Sequence, residues 1–369
     1  MTSPQPPATL QPYLRDMAQP QPGEQALADE LSRVLLEIAQ TTWENGGRAL
    51  RSVHAKSHGL LKAQLDVLPD LPLALAQGLF ARPDRYEALM RLSTTPGDLL
   101  PDNVSTPRGV ALHVFGVDGE RLEDDQDGDG QDFILVNGPT FNARDGEQFL
   151  RTLKPLAATT DRAERSKQAL SAVLRATETV VEALGGQSAT LKALGGHRAT
   201  HPLGETYFSQ LPIRYGDYVA KIQLAPVSDA LLALQDDKLK LLGEPDALRE
   251  AVIAHFREHG GEWELRVQLC VDPQTMPIDD PTVEWDTAIS PFIAVARLTA
   301  APQAGWSQAR SRVVDDTMGF SPWHGLQAHR PLGELMRLRQ TAYARSREFR
   351  QARNPSPPRA PRTLQDIPD

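Results

Sequence analysis

Apolar residues recur at helical spacing from Glu24 to Glu44. Leu27, Leu31, Val34, Leu35 and Ile38 form one stripe, and Gly46-Gly47 ends it. Ala74–Leu92 reads as a second helical region, ahead of the turn-rich Thr95-Pro96-Gly97-Asp98. Gly109–Gly116 and Asp132–Asn137 read as strands joined by the acidic loop Asp118–Gln131. Residues 161–184 alternate charge with Ala, Leu and Val at helical spacing and stop at Gly185-Gly186. Val219 and Ile222 mark Tyr218–Ala225 as a strand; Leu265, Val267 and Leu269 mark Trp263–Asp272, and Ile293–Ala300 is a further one. Ser228–His259 reads as helices broken at Gly243-Glu244-Pro245. Pro331, a favourable first helical position, opens a last helix that runs through Phe349. Helices and strands mixed without regular strand–helix alternation predict an α+β fold rather than a doubly wound sheet.

The two ends depart from this pattern. Residues 1–22 carry repeated Pro and Gln, and Asn354-Pro-Ser-Pro-Pro-Arg-Ala-Pro-Arg opens the last stretch. Proline removes backbone donors and favours extended chain, so these ends should form no packed element alone, though they can wrap over a neighbour. With no linker or repeat between them, the expected organisation is one unit of residues 23–353 flanked by tails 1–22 and 354–369. Composition then removes function classes. A hydrophobic content of 40% over 369 residues can fill a core. A net charge of −9 with no basic block argues against nucleic acid. No apolar run approaches the ~18 residues of a membrane span. The opening Met-Thr-Ser-Pro-Gln-Pro-Pro lacks the basic and apolar regions of a secretory signal. One cysteine, Cys270, leaves no intramolecular disulfide and no Cys-based zinc site. A soluble, reduced, cytoplasmic protein is the expectation.

Four constellations carry possible chemistry. Asp125, Asp127, Asp129 and Gly130 imitate the start of an EF-hand loop, but its twelfth position, which needs a bidentate carboxylate, is Val136. A solvated acidic turn fits better. His255-Phe-Arg-Glu258-His259 has the spacing of an inverted zinc peptidase motif, yet Gly260-Gly261 places it on a last helical turn, where histidine complements the helix dipole. His54 and His58 repeat the four-residue spacing in a segment that looks like a short strand entering a site. Arg339 and Tyr343 lie four apart on the last helix, so they share a face. A guanidinium that close favours phenolate over phenol, and phenolate is a hard ligand for ferric haem iron.

Read together, these segments resemble the catalase superfamily of haem proteins. Arg51-Ser-Val-His54-Ala-Lys is similar to the family's Arg-Val-Val-His-Ala-Lys, and Arg91-Leu-Ser93-Thr-Thr-Pro-Gly-Asp to its Arg-Phe-Ser-Thr-Val-x-Gly. Asp102-Asn-Val-Ser-Thr-Pro107-Arg108-Gly109 resembles Arg-Asp-Pro-Arg-Gly. Asn137-Gly-Pro139-Thr-Phe141-Asn-Ala-Arg144-Asp145 resembles Asn-Thr-Pro-x-Phe-Phe-Ile-Arg-Asp. Trp263-Glu-Leu-Arg-Val-Gln268 and Asp280-Pro281-Thr282-Val-Glu-Trp285 are similar to Trp-x-Leu-x-x-Gln and Asp-Pro-Thr-Lys-Val-Trp, and Phe320-Ser321-Pro322 precedes the last helix as in the family. The matches keep the family's order from Arg51 to Tyr343. They suggest a minimal, catalase-related haem protein.

The resemblance implies an antiparallel β-barrel with surrounding helices and haem b buried between them. It implies Tyr343 as the axial ligand of the haem iron, with Arg339 holding it as phenolate, and His54 as the distal acid–base group. Ser93 would orient His54, Arg51 and Arg91 would meet the haem propionates, Val53 would lie over the distal face, and Phe141 and Phe149 would line the pocket. The family's catalytic asparagine is the first of a pair. Anchoring on Pro139 puts Val136 there and Asn137 second, so Asn137 is the expected catalytic amide provided that a bulge re-aims it. The implied activity is that of a haem catalase or peroxidase of oxidative stress, reducing hydrogen peroxide or organic hydroperoxides through a ferryl intermediate. Its partners would be peroxide and an organic reductant, in a homo-oligomer. Two rivals share the same residues: an isomerase of fatty-acid hydroperoxides resembling allene oxide synthases, and a haem-binding protein without turnover. Those isomerases place threonine before the distal histidine, whereas this chain has Val53.

Overall fold

A computed structural model describes residues 5–95, 97–125, 128–160, 199–235, 237–355 and 359–369. The helix expected over 161–184 and the carboxylate of Asp127 lie outside these described residues. The chain opens with α1 (Glu24–Gly46), followed by the antiparallel meander β1 (Lys56–Val67), β2 (Arg85–Thr94), β3 (Arg108–Phe115) and β4 (Gly130–Val136). After α2 (Gly146–Ala158) come β5 (Tyr207–Phe208), β6 (Ile213–Tyr215) and β7 (Tyr218–Pro226). The single turn α3 (Asp229–Leu232) and α4 (Ala247–Glu258) lead into β8 (Gly261–Leu269) and β9 (Ile293–Ala300); α5 (Gln308–Thr317) and α6 (Glu334–Arg353) complete the order. β5 pairs with both β4 and β7, and β9 pairs with β1. Eight strands therefore close an antiparallel barrel, with β6 attached outside the ring as the hairpin partner of β7. Closure with surrounding helices is the expected α+β architecture.

The barrel interior follows from period-2 alternation. Ala88, Met90 and Leu92 of β2 and Val110, Leu112 and Val114 of β3 point inward, with Leu265 and Val267 of β8 opposite. Val252 and Phe256 of α4 join this interior cluster, as do Leu79 and Phe80. A second cluster lies outside, where Leu31, Val34 and Ile38 of α1 meet Leu150 and Leu153 of α2 and Leu335, Leu338 and Ala342 of α6. The described parts of both tails pack on neighbours: Gln11 donates to the Cys270 carbonyl at 2.8 Å, and Ile367 is buried against the outer face of β1 and β2.

Two expectations need correction. The helix over Ala74–Leu92 is instead a short 3-10 turn, Gly78–Phe80, followed by strand β2. β2 is buried on both faces along Ala88–Ser93, so its apolar run loses the strict alternation of a half-buried strand and imitates a helix. Pro331 does not open the last helix. It bridges to Ile213, and α6 begins at Glu334 after Gly333, whose φ of 88° turns the chain. No helix among the described residues is long and apolar enough to cross a membrane.

Candidate active site

The segment Arg51–Ala55 runs irregularly from the end of α1 into β1 and carries His54 at φ 55°, a left-handed conformation uncommon for a residue with a side chain. The imidazole lies directly on Gly109. A Cβ there would come within 2.6 Å of His54 Cε1, so no larger residue fits without displacing the ring. Ser93 and Gly109 are cross-strand partners, and His54 Nδ1 is 3.2 Å from Ser93 Oγ. The Ser93 hydroxyl donates onward to the Gly109 carbonyl at 3.5 Å. With that hydroxyl donating to the carbonyl, it accepts from Nδ1–H, the tautomer that leaves the Nε2 lone pair free. Burial, reinforced by the guanidiniums of Arg91, Arg339 and Arg51, pushes the imidazole down to about 3. At neutral pH His54 is an uncharged base.

Beneath His54 lies a buried charge cluster. Arg91 donates through Nη2 to the carbonyls of His54 at 2.9 Å and Ala55 at 3.3 Å, and through Nε to Asp315 of α5 at 2.7 Å. Arg51 donates to the carbonyls of Asp315 and Met318, both at 2.7 Å, and stacks over Phe320. Arg350 of α6 shares the Met318 carbonyl at 3.2 Å. Its Nε is buried with no hydrogen-bond partner among the described residues. Burial alone would raise the Asp315 carboxyl, but the Arg91 and Arg51 guanidiniums hold it well below the usual carboxylate range.

On α6, Arg339 Nη2 donates to Tyr343 Oη at 2.7 Å, with the guanidinium 5.4 Å from the ring centroid. One helical turn separates the two residues, so helix geometry alone makes them meet. Ser52 Oγ lies 3.5 Å from Ser346 Oγ, which sets α6 alongside the His54 segment. Val53, Phe141 and Phe149 pack against the α1–α2–α6 cluster, the two phenylalanine rings edge to face at 5.1 Å. His54, Val53, Phe141, Phe149, Arg339 and Tyr343 are each half-buried. Asn137 is placed differently. The β3–β4 ladder keeps register to Gly109↔Val136 without a bulge. Val136 thus shares the face of Ser93 and Gly109, while the Asn137 side chain accepts from Arg108 N and donates to Glu205, both at 2.8 Å.

The other constellations are occupied structurally. Asp125 pairs with Arg121, and His255 bonds the Gly260 carbonyl at 3.1 Å. His58 bonds Thr94 Oγ1 at 2.9 Å. No group of three metal-ligating side chains occurs among the described residues. Sequence reasoning missed Asp315, Gly109 and Arg350. Arg350 had a signal: seven residues after Tyr343 is two helical turns, hence the same face.

No protein-family model matches the sequence, and no curated protein does. Solved structures of similar fold include a fungal catalase, with TM-score 0.59 and 16% identity over 85% of this chain and 61% of that one. Catalase A from Saccharomyces cerevisiae gives 0.57 and 15% over 85% and 63%, and a bacterial catalase gives 0.57 and 17% over 85% and 59%. The fold is therefore catalase-like, and the chain spans about three-fifths of each of those catalases.

Proposed function

We propose that this chain is a haem-dependent hydroperoxidase. The observation that carries the reading is an imidazole bonded to Ser93 and acted on by the charge of Arg339, whose guanidinium in turn bonds the Tyr343 phenol. The donor set fits haem b. Tyr343 offers a hard oxygen ligand supported by Arg339. Arg51 and the buried Arg91 and Arg350 gather more positive charge than Asp315 and Asp316 balance, and the unpartnered Arg350 Nε suits an anionic group such as a propionate. Bound haem would supply an iron that takes up the oxidising equivalents of a peroxide O–O bond.

The chain's own residues do the rest. Tyr343 Oη would hold the iron, with the Arg339 guanidinium bonded to that oxygen. His54 Nε2 takes the proton from one peroxide oxygen and returns it to the other, so that the departing oxygen leaves as water or an alcohol. Ser93 holds Nδ1–H and thereby keeps Nε2 basic. Val53, Phe141 and Phe149, packed on the helical cluster, together with Val136 on the Gly109 face, offer apolar surface that suits an alkyl hydroperoxide.

Haemin titration of the purified chain, followed by mixing with hydrogen peroxide or tert-butyl hydroperoxide, tests this. Stoichiometric binding with a tyrosinate spectrum lost in Tyr343→Phe, and peroxide reduction slowed in His54→Gln, are expected. Failure to bind haemin stoichiometrically would withdraw the proposal. Consumption of a fatty-acid hydroperoxide with neither oxygen released nor donor oxidised would replace it by the isomerase reading.

A further inference from the structure

We infer that Asp315 is a positioning residue for His54, the carboxylate that holds a strained segment in its working shape. The inference rests on the reading of His54 as the proton-moving group. Asp315 sits in the last turn of α5, and its side chain accepts from Arg91 Nε at 2.7 Å, Ser57 Oγ at 2.8 Å, Ser311 Oγ at 2.6 Å and Arg51 Nη1 at 3.5 Å. Two of these donors, Arg51 and Ser57, bracket His54 in the chain. A third, Arg91, grips the His54 and Ala55 carbonyls with its other arm. One carboxylate thus ties down both ends and the middle of the stretch Arg51–Ser57.

That stretch contains the left-handed His54, a strained conformation that persists only when its surroundings over-determine it. Relaxed to ordinary extended backbone, His54 would swing its ring off Gly109 and away from Ser93. Nδ1 would lose its acceptor, and the proton would distribute between the two nitrogens. Asp316, the next residue on α5, makes a separate set of bonds, to Arg48 at 2.7 Å and Asn354 at 3.4 Å, and touches none of these three anchors. Its charge also acts on Arg51, so it is a control for losing a neighbouring α5 carboxylate without losing the bonds to the anchors.

The test uses the full chain labelled with 15N-histidine and without added haem, the His54 signals being identified by their loss in His54→Gln. The native chain is expected to show a single neutral tautomer protonated at Nδ1. Asp315→Ala is expected to give an averaged tautomer mixture. Asp315→Asn, which keeps the shape but cannot accept every donor, is expected to give a smaller change of the same kind and serves if the alanine variant does not fold. Asp316→Ala should keep the native pattern even where its melting temperature falls. Haem-loaded Asp315→Asn should react with tert-butyl hydroperoxide about a hundredfold more slowly while still taking up haem, the scale of a catalytic group misplaced by about 1 Å. A native tautomer in both Asp315 variants, or equal loss in Asp316→Ala, overturns the inference. The tautomer readout needs no haem, so failure of the haem reading would show itself separately.

Discussion

β3 and β8 are both barrel strands with an apolar inward face, yet their outward faces meet different fates. β8 alternates buried and part-exposed positions, and its outward Glu262 and Glu264 pair across the surface with Arg297. β3 is buried at every position. Its outward face carries Gly109 under His54 and His113, which bonds Asp132 of β4 at 2.6 Å. Asp132 in turn accepts from Ser321 N at 2.8 Å and meets His324 at 3.2 Å, anchoring the loop that leads to α6. The strands share one backbone rule. The difference is the layer of helix and tail that covers β1–β4 and turns their outward polar residues into buried groups needing partners. Where that cover exists, the barrel surface can hold charge in fixed geometry; where it does not, water screens the same residue types into near-neutral decoration.

The largest expected effect falls on the covered face. His54→Gln should slow hydroperoxide reduction by the haem-loaded chain about 10²- to 10⁴-fold, with little change in melting temperature. Because the His54 imidazole is held down to about 3, the native rate should stay flat from pH 8 to pH 5; a step near pH 6.5 would show a solvated histidine instead. The inner face sets the stability scale. Trp263→Ala, deep in the barrel, should cost about 3–5 kcal/mol by chemical denaturation without a selective loss of rate.

Asp132→Asn should cost about 3–5 kcal/mol, because it strands buried partners. Burial works to raise the Asp132 carboxyl, but His113 and His324 hold it down to about 2. A folded value below the unfolded one means that its contribution is complete above about pH 4 and fades as pH falls toward 2. The melting-temperature gap between the native chain and Asp132→Asn should therefore narrow between pH 5 and pH 2.5. Gly109→Ala is an intermediate case, at about 1–3 kcal/mol of crowding against His54 with a disproportionate loss of rate. Glu262→Ala on the open face should change stability by less than about 1 kcal/mol. A large effect there, or none at Asp132, would erase the contrast between the two faces.

Much of the architecture was legible. The stripe Leu27–Ile38 gives α1, and the strands read from Val219, Leu265 and Ile293 stand within a few residues of their bounds. β2 and the start of α6 were misread, the first because burial on both faces hides alternation and the second because a favourable proline says nothing of the bridge that claims it. Within the candidate site, Arg339 and Tyr343 meet because a helix brings positions four apart together. Asn137 shows the opposite case: whether its amide turns toward His54 or toward Glu205 depends on the strand register, which motif spacing leaves open.

Local order determined by the sequence thus reaches as far as periodicity and turn chemistry act: which segments are helix or strand, which residues share a helix face, and which motifs follow one another. Long-range encounters were decided only by the closed barrel and its cover. The Asp315 carboxylate lies 258 residues from Ser57 and 224 from Arg91, yet it bonds both. The left-handed turn at His54 and the empty side of Gly109 beneath its ring belong to that same assembly. No local pattern encodes such a meeting, because the cost of burying these charges is offset only by their pairing with one another, and the partners are neighbours only after the chain has folded.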